Sequence, residues 1–237
     1  VYISDSSGWG VADAYAARIE ADNPGIAVEV HDLWKGALPA TLVLDALRTG
    51  NNFNSDVGGV VKLPPLIAEA EVIVVYGNPN GSESVENPWD WNCAFGLEYQ
   101  PVCRQSTSCG PETFEQYESD LAAIYDEIFA IRDGAPVILR TADWYMPWGP
   151  LQTWTECEHR DVCKQCWRNF SDAIHRVAER YNVPVAGLLD AFSGAELIEE
   201  FPKEFTADDV HPNANGAAAI AAVLGDLGYA PVDPPSE

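Results

Sequence analysis

The chain has 237 residues, 47% of them hydrophobic, and a net charge of −24 from 37 acidic residues against 13 Lys and Arg. The apolar content is enough for one sizeable core, and a surface this negative repels phosphate backbones and anionic lipid headgroups, which argues against nucleic acid as a partner. No run of about 18 or more apolar residues occurs, so no stable membrane insertion is expected.

Val1–Ile3 reads as a short apolar strand whose upstream residues are expected to have been removed, and Ser4–Gly10 turns sharply into a helix over Val11–Ala21. Asn23-Pro24-Gly25 ends that helix. Ile26–Val30 reads as a second strand, leading through His31-Asp32-Leu33-Trp34-Lys35-Gly36 to a helix over Pro39–Arg48. Residues 49–62 are polar and glycine-containing and read as surface loop. Val72–Tyr76 is a continuous β-branched run, the pattern of a parallel strand buried on both faces. It runs into Gly77-Asn78-Pro79-Asn80-Gly81, which continues neither element. A helix over Phe114–Arg132, a strand over Pro136–Arg140, a helix over Trp167–Tyr181, a strand over Val183–Gly187 and a terminal helix complete the pattern.

Strands alternating with helices predict an α/β fold, a flavodoxin-like three-layer α/β/α sandwich around a parallel sheet of about five strands. Two irregular, Cys- and Trp-rich insertions, about 82–111 and 141–162, interrupt it. Residues 1–230 are expected to form one domain, and 231–237 an acidic, Pro-rich tail or linker. Six cysteines (Cys93, Cys103, Cys109, Cys157, Cys163 and Cys166) all lie in the middle part of the chain, which is irregular and rich in Trp and Pro. An even number in loop-like sequence predicts disulfides and a secreted or extracytoplasmic protein. Cys103–Cys109 is the easiest bridge, with Cys157 paired to Cys163 or Cys166. The rival is zinc at Cys163-x-x-Cys166 with Cys157 and His159, which lacks a second paired half-site.

In a doubly wound sheet ligands bind beyond the carboxyl ends of the strands. Ser6, Gly36, Asn78 and His211 all follow strands and converge there. Asp208 stands three residues before His211, placed to bond Nδ1, fix the tautomer and leave Nε2 free to take a proton. Asn213 offers an N-cap for the alanine-rich helix that follows. Ser6 would supply a nucleophilic hydroxyl and, through its own N–H, one oxyanion donor; Gly36 N–H and the Asn78 amide would supply the others. Each residue alone is ordinary turn chemistry; their convergence on one rim is what points to acyl transfer. His31, His159 and His175 have no carboxylate at a telling spacing and read as strand-end, surface or packing residues.

With these blocks in place the chain resembles the SGNH hydrolases, the serine esterases also called the GDSL family. Ser4-Asp5-Ser6 stands where that family has Gly-Asp-Ser, Gly36 where it has a glycine after the second strand, and Tyr76-Gly77-Asn78-Pro79 where it has Gly-x-Asn-Asp. Asp208-Asp209-Val210-His211-Pro212-Asn213-Ala214-Asn215-Gly216 matches the final Asp-x-x-His-Pro-x-x-x-Gly block in full. The resemblance implies Ser6 as nucleophile, His211 as base, Asp208 as its orienter, and Ser6, Gly36 and Asn78 as oxyanion donors, with Asn80 the alternative to Asn78. It implies no cofactor and no metal. The expected substrate is a small-molecule or carbohydrate ester with a short acyl chain, such as an acetyl group on polysaccharide. The tryptophans of the insertions (Trp89, Trp91, Trp144, Trp148 and Trp154) would stack on sugars or form the insertions' own small core. The rivals are a lipase or lysophospholipase, and a catalytically silent glycan-binding module on the same fold.

Overall fold

A computed structural model describes residues 1–36, 38–76, 114–145, 160–194, 202–208 and 211–235, without the side chains at 160, 162, 163 and 166. Along the chain run β1 (Tyr2–Ile3), α1 (Val11–Asp22), α2 (Ala40–Thr49), β2 (Asn52–Ser55), β3 (Gly59–Lys62), α3 (Leu63–Glu69) and β4 (Val72–Tyr76). They are followed by α4 (Glu115–Ile131), β5 (Ile138–Ala142), α5 (Arg160–Arg180), β6 (Val185–Ala186), α6 (Leu188–Ser193) and α7 (Ala214–Asp226).

Four strands form one parallel sheet in the order β1-β4-β5-β6. At its centre Ile73, Val74, Val75 and Tyr76 of β4 are buried, as a strand covered on both faces requires. Helices α2 to α5 pack together on one face and α1, α6 and α7 on the other. The predicted three-layer α/β/α sandwich is therefore present, with four strands among the described residues where about five are expected. The difference lies at Ile26–Val30, which forms no strand. Its neighbour β1 is only two residues long, so the ladder shrinks to one parallel bridge between Tyr2 and Asp32, with Tyr2 N–H donating to His31 O at 2.9 Å and Leu33 N–H to Tyr2 O at 2.8 Å. This segment takes the outer position of the 2-1-3-4-5 order of flavodoxin-like sheets.

Residues 49–62 are not a loop. Asn52–Ser55 and Gly59–Lys62 form an antiparallel hairpin, with Phe53 and Ser55 turned inward and Asn52 and Asn54 outward. That period-2 alternation was available in the sequence beneath its polar composition. The edges of the second insertion also move: β5 continues to Ala142 and α5 begins at Arg160, so less of 141–162 is irregular than expected. The first insertion, about 82–111, lies outside the described residues, as do Cys93, Cys103, Cys109, Cys157, the side chains of Cys163 and Cys166, His159, Trp89, Trp91, Trp148 and Trp154. At the other end the chain stays packed as far as Val232, which is buried and pairs with Val137 through two backbone hydrogen bonds. Arg140 on β5 explains how: its buried guanidinium donates to Gly228 O and Ala230 O, pinning the segment after α7 to the sheet.

The edge segment carries a pH signature. Burial raises the Asp32 carboxyl to about 6, with the Asp13 charge adding to it and the Trp34 N–H opposing. The folded state thus binds this proton over a range, from the ordinary value of 3.8 to about 6, in which the unfolded chain has released it. The associated stability is fully present below the lower value and lost as pH rises through the upper one. Asp32→Asn removes the charge and keeps an oxygen to accept from Trp34 N–H. After discounting for solvent screening we expect it to stabilise the protein by on the order of 1 kcal/mol above pH 6, about 2–4 °C in Tm. The gain should vanish at pH 4; an equal Tm change at pH 4 and pH 7.5 would sink the assignment.

Candidate active site

The site begins where β1 stops. Ser4 and Asp5 lead into a 3₁₀ turn over Ser6–Gly8, whose N-cap is Asp5. The buried Asp5 carboxylate accepts from Ser7 N–H at 2.9 Å and from the Ser7 hydroxyl. Gly8 is required there, because a Cβ would lie 2.2 Å from Ser4 Oγ and 2.9 Å from Tyr2 Cε1. Tyr2, Tyr76 and Tyr145 are buried beneath the turn; burial pushes their hydroxyls well above the ordinary tyrosine value, and the Asp5 charge adds to it. The consequence is a half-exposed Ser6 at the carboxyl end of β1, on a turn held from below.

The second half comes from the loop before α7. Asn213 is the N-cap: its side-chain oxygen accepts from Asn215 N–H at 2.9 Å and Gly216 N–H at 3.1 Å. Its side-chain nitrogen donates to Glu204 O at 2.7 Å and Thr206 O at 3.1 Å. One residue therefore ties the helix start to the incoming chain. The loop closes through Ala207 N–H to His211 O at 2.8 Å. Gly216 lets the two come together, since a Cβ there would stand 2.2 Å from Phe205 O.

Within this frame three predicted residues meet. His211 Nδ1 lies 2.7 Å from Asp208 Oδ2 and 2.9 Å from Asp208 Oδ1, and His211 N–H donates to Asp208 Oδ1 at 2.8 Å. On the other side of the ring, Nε2 lies 2.9 Å from Ser6 Oγ. The imidazole is thus held between a carboxylate and a hydroxyl, the arrangement in which Nδ1–H is donated and Nε2 can accept.

Gly36 is close by through Lys35 N–H, which donates to Ser4 O at 3.0 Å, but its own N–H is occupied. It donates to Asp56 Oδ2 at 2.7 Å, from the turn of the β2–β3 hairpin. Asn78 and Asn80 lie outside the described residues. Asp5 enters the sequence analysis only as the middle of Ser4-Asp5-Ser6, and Asp56 and Asp143 do not enter it. Buried Asp143 follows β5, accepts from Leu188 and Leu189 N–H at the start of α6 and from the Ser171 hydroxyl. His175 is not partnerless either: Nε2 lies 3.4 Å from Asp143 Oδ2, and that hydrogen bond raises its pKa against the opposing effect of burial. Position directly after a strand end is the one signal that could have drawn attention to Asp5 and Asp143.

A groove of ≈ 400 Å³ opens between the starts of α1 and α7, lined by Trp9, Ala14, Ala207, Pro212 and Ala217 among others. Trp9 is 52% exposed, and its ring centroid is 6.2 Å from that of Trp34 in the loop leading to Gly36.

No family model matches the sequence, and no curated protein does. The fold, in contrast, matches solved structures over nearly the whole chain. A lipase/acylhydrolase from Enterococcus faecalis aligns at 15% identity and a TM-score of 0.58, covering 100% of this chain and 98% of that one. A catalytic mutant of an acetylxylan esterase from Geobacillus stearothermophilus aligns at 13% identity and 0.60, covering 97% and 93%. A GDSL-like lipase from Bacteroides thetaiotaomicron aligns at 10% identity and 0.53, covering 95% and 85%. At these identities the likeness is one of fold, and the fold is that of the SGNH hydrolases.

The packing of Gly216 carries a test. Gly216→Ala should push the Phe205 carbonyl, and with it the Asp208–His211 loop, away from α7. We expect a loss of about 1–3 kcal/mol of stability, the usual cost of overpacking. Unaltered thermal unfolding would show that the close approach is not needed.

Proposed function

We propose that this chain, whose fold is that of the SGNH hydrolases, is a carboxylic ester hydrolase that works through Ser6, His211 and Asp208. The single observation that carries the reading is the unbroken line from Asp208 through His211 to Ser6 Oγ, with both ring nitrogens within 2.9 Å of their partners.

In this reaction Ser6 Oγ forms a bond to the ester carbonyl carbon while its proton passes to His211 Nε2. The carbonyl π pair moves onto oxygen, where backbone N–H groups of Ser6 and Gly36 receive it, with Asn78 as the third donor. Asp208 holds Nδ1–H and stabilises the imidazolium. Collapse expels the alcohol, which takes the proton from Nε2 and leaves an acyl-enzyme. Water repeats the sequence, giving the acid and free Ser6.

The substrate we favour is an ester of a short acyl chain, including acetyl groups on carbohydrate. Half-exposed Trp9, tilted against Trp34 beside Ser6, supports it as a face on which a sugar ring can rest. The similar acetylxylan esterase is consistent with it. One observation favours a second reading: the groove beside Trp9 is walled largely by alanine and proline, and the side-chain hydrogen-bonding groups of Asn213 there are already engaged. A longer acyl chain, as in a lipase, would suit such a wall. Of the expected metal and disulfide alternatives for the cysteines we retain disulfides, and with them a secreted or extracytoplasmic location, on the even count of six.

Hydrolysis of p-nitrophenyl esters from acetate to palmitate decides among these. Activity peaking at acetate or butyrate supports the short-chain esterase; a maximum at octanoate or beyond supports the lipase reading. Ser6→Ala should abolish turnover and labelling by a fluorophosphonate probe without changing the circular dichroism spectrum. Asp208→Asn, which disturbs the tautomer of His211, should lower kcat by up to about four orders of magnitude. A Ser6→Ala protein that turns over like wild type removes the proposed nucleophile, and wild type that resists the probe directs attention to a silent glycan-binding module.

A further inference from the structure

The N–H of Gly36, one of the donors assigned above to the oxyanion, is bonded to a carboxylate. Asp56 Oδ2 accepts it at 2.7 Å, and Asp56 Oδ1 lies 4.0 Å from Lys35 Nζ. The hairpin turn does not depend on this bond for its place. Asp56 N–H donates to Trp34 O at 3.0 Å, the Ser55 hydroxyl donates to the same oxygen at 3.0 Å, and both contacts survive loss of the Asp56 side chain. Asp56 and Gly36 are both exposed, so the carboxylate is held by its hydrogen bond and the nearby lysine rather than by packing.

A carboxylate oxygen on an oxyanion donor occupies the position of the substrate's carbonyl oxygen and bears the charge that the tetrahedral intermediate develops there. Resting on the esterase reading, we infer that Asp56 is a built-in competitor of the substrate: its carboxylate occupies the Gly36 donor until a substrate carbonyl displaces it. The exchange breaks one charge-assisted hydrogen bond and replaces it, in the ground state, with a weaker bond to a neutral carbonyl. The charge-assisted strength returns only as negative charge builds on the substrate oxygen. That cost is the same for every ester, so it lowers kcat/KM for all of them by one factor. What Asp56 discriminates is charge, because its carboxylate repels an anionic group next to the carbonyl.

The test compares wild type, Asp56→Ala and Asp56→Asn in the full chain, by kcat/KM on p-nitrophenyl acetate and by the rate of Ser6 labelling with a fluorophosphonate. Asp56→Ala frees the N–H and should raise both rates by about 3- to 30-fold. Asp56→Asn keeps an uncharged oxygen to accept the bond and should give a smaller rise. If wild type is labelled at Ser6 and Asp56→Ala, with unchanged Tm, is no faster or is slower, the carboxylate is an anchor of the Gly36 loop and the inference is overturned while the esterase reading stands. Should Asp56→Ala fail to fold, Asp56→Asn decides alone, a rise supporting displacement and no rise overturning it. Failure of all three proteins to react at Ser6 overturns the esterase reading and this inference together.

Discussion

The approach of α1 to α7 is the constraint on which the candidate site depends. Ser6 and His211 are 205 residues apart in sequence, and the helices that follow each of them are packed side by side. The packing is close because the facing residues are small. A Cβ on Gly10 would lie 3.6 Å from that of Ala217, and one on Gly225 would meet Arg18 Cγ at 2.8 Å. The alanine-rich composition of α7 is thus a spacing device: bulkier residues would drive the helices apart and open the 2.9 Å separation of Nε2 and Oγ. The hydrogen bonds of Asn213 and the bare Gly216 then fix where on α7 the histidine loop sits.

Charge acts on the same site in two ways. Asp5 and Asp143 each follow a strand, and each is buried against backbone N–H groups and a serine hydroxyl. They shape the rim on which ligands of such a sheet bind, and one of them caps the start of α6 with a negative group. Asp56 and Asp208, in contrast, are exposed, and one faces a glycine N–H while the other faces an imidazole. In a protein of net charge −24, a reaction that builds negative charge on an oxygen must rely on locally aimed N–H donors, because the distant field opposes it. A carboxylate on one of the proposed donors would therefore be a strong competitor.

What the sequence disclosed follows from how local each feature is. Asp208 and His211 are three residues apart and bond within one loop, and Asn213 caps the helix immediately following it, so short-range spacing was sufficient. Ser6 was legible because a strand running straight into a turn and a helix exposes whatever stands between them. The four-stranded sheet was legible from β-branched runs, but Ile26–Val30 was not, because a strand pattern does not reveal that its only neighbour offers a single rung. The β2–β3 hairpin was hidden by composition, since asparagine, serine and aspartate dominate a segment whose alternation buries only Phe53 and Ser55.

Asp56 marks the boundary of that kind of reading most clearly. It is 20 residues from Gly36, on the turn of a hairpin whose composition is that of a loop, and no spacing rule connects the two. Its contact exists because the Ser55 hydroxyl and the Asp56 N–H both bond Trp34 O, which lays the hairpin turn against the end of the loop before α2. A third close approach belongs to the same junction: a Cβ on Gly58 would stand 2.8 Å from Asp32 O. The residues that would do the chemistry could be read from the ends of the chain, where the motifs are compact. The residue that would govern access to one oxyanion donor depends on a long-range fit between a hairpin and a loop, which no local pattern encodes.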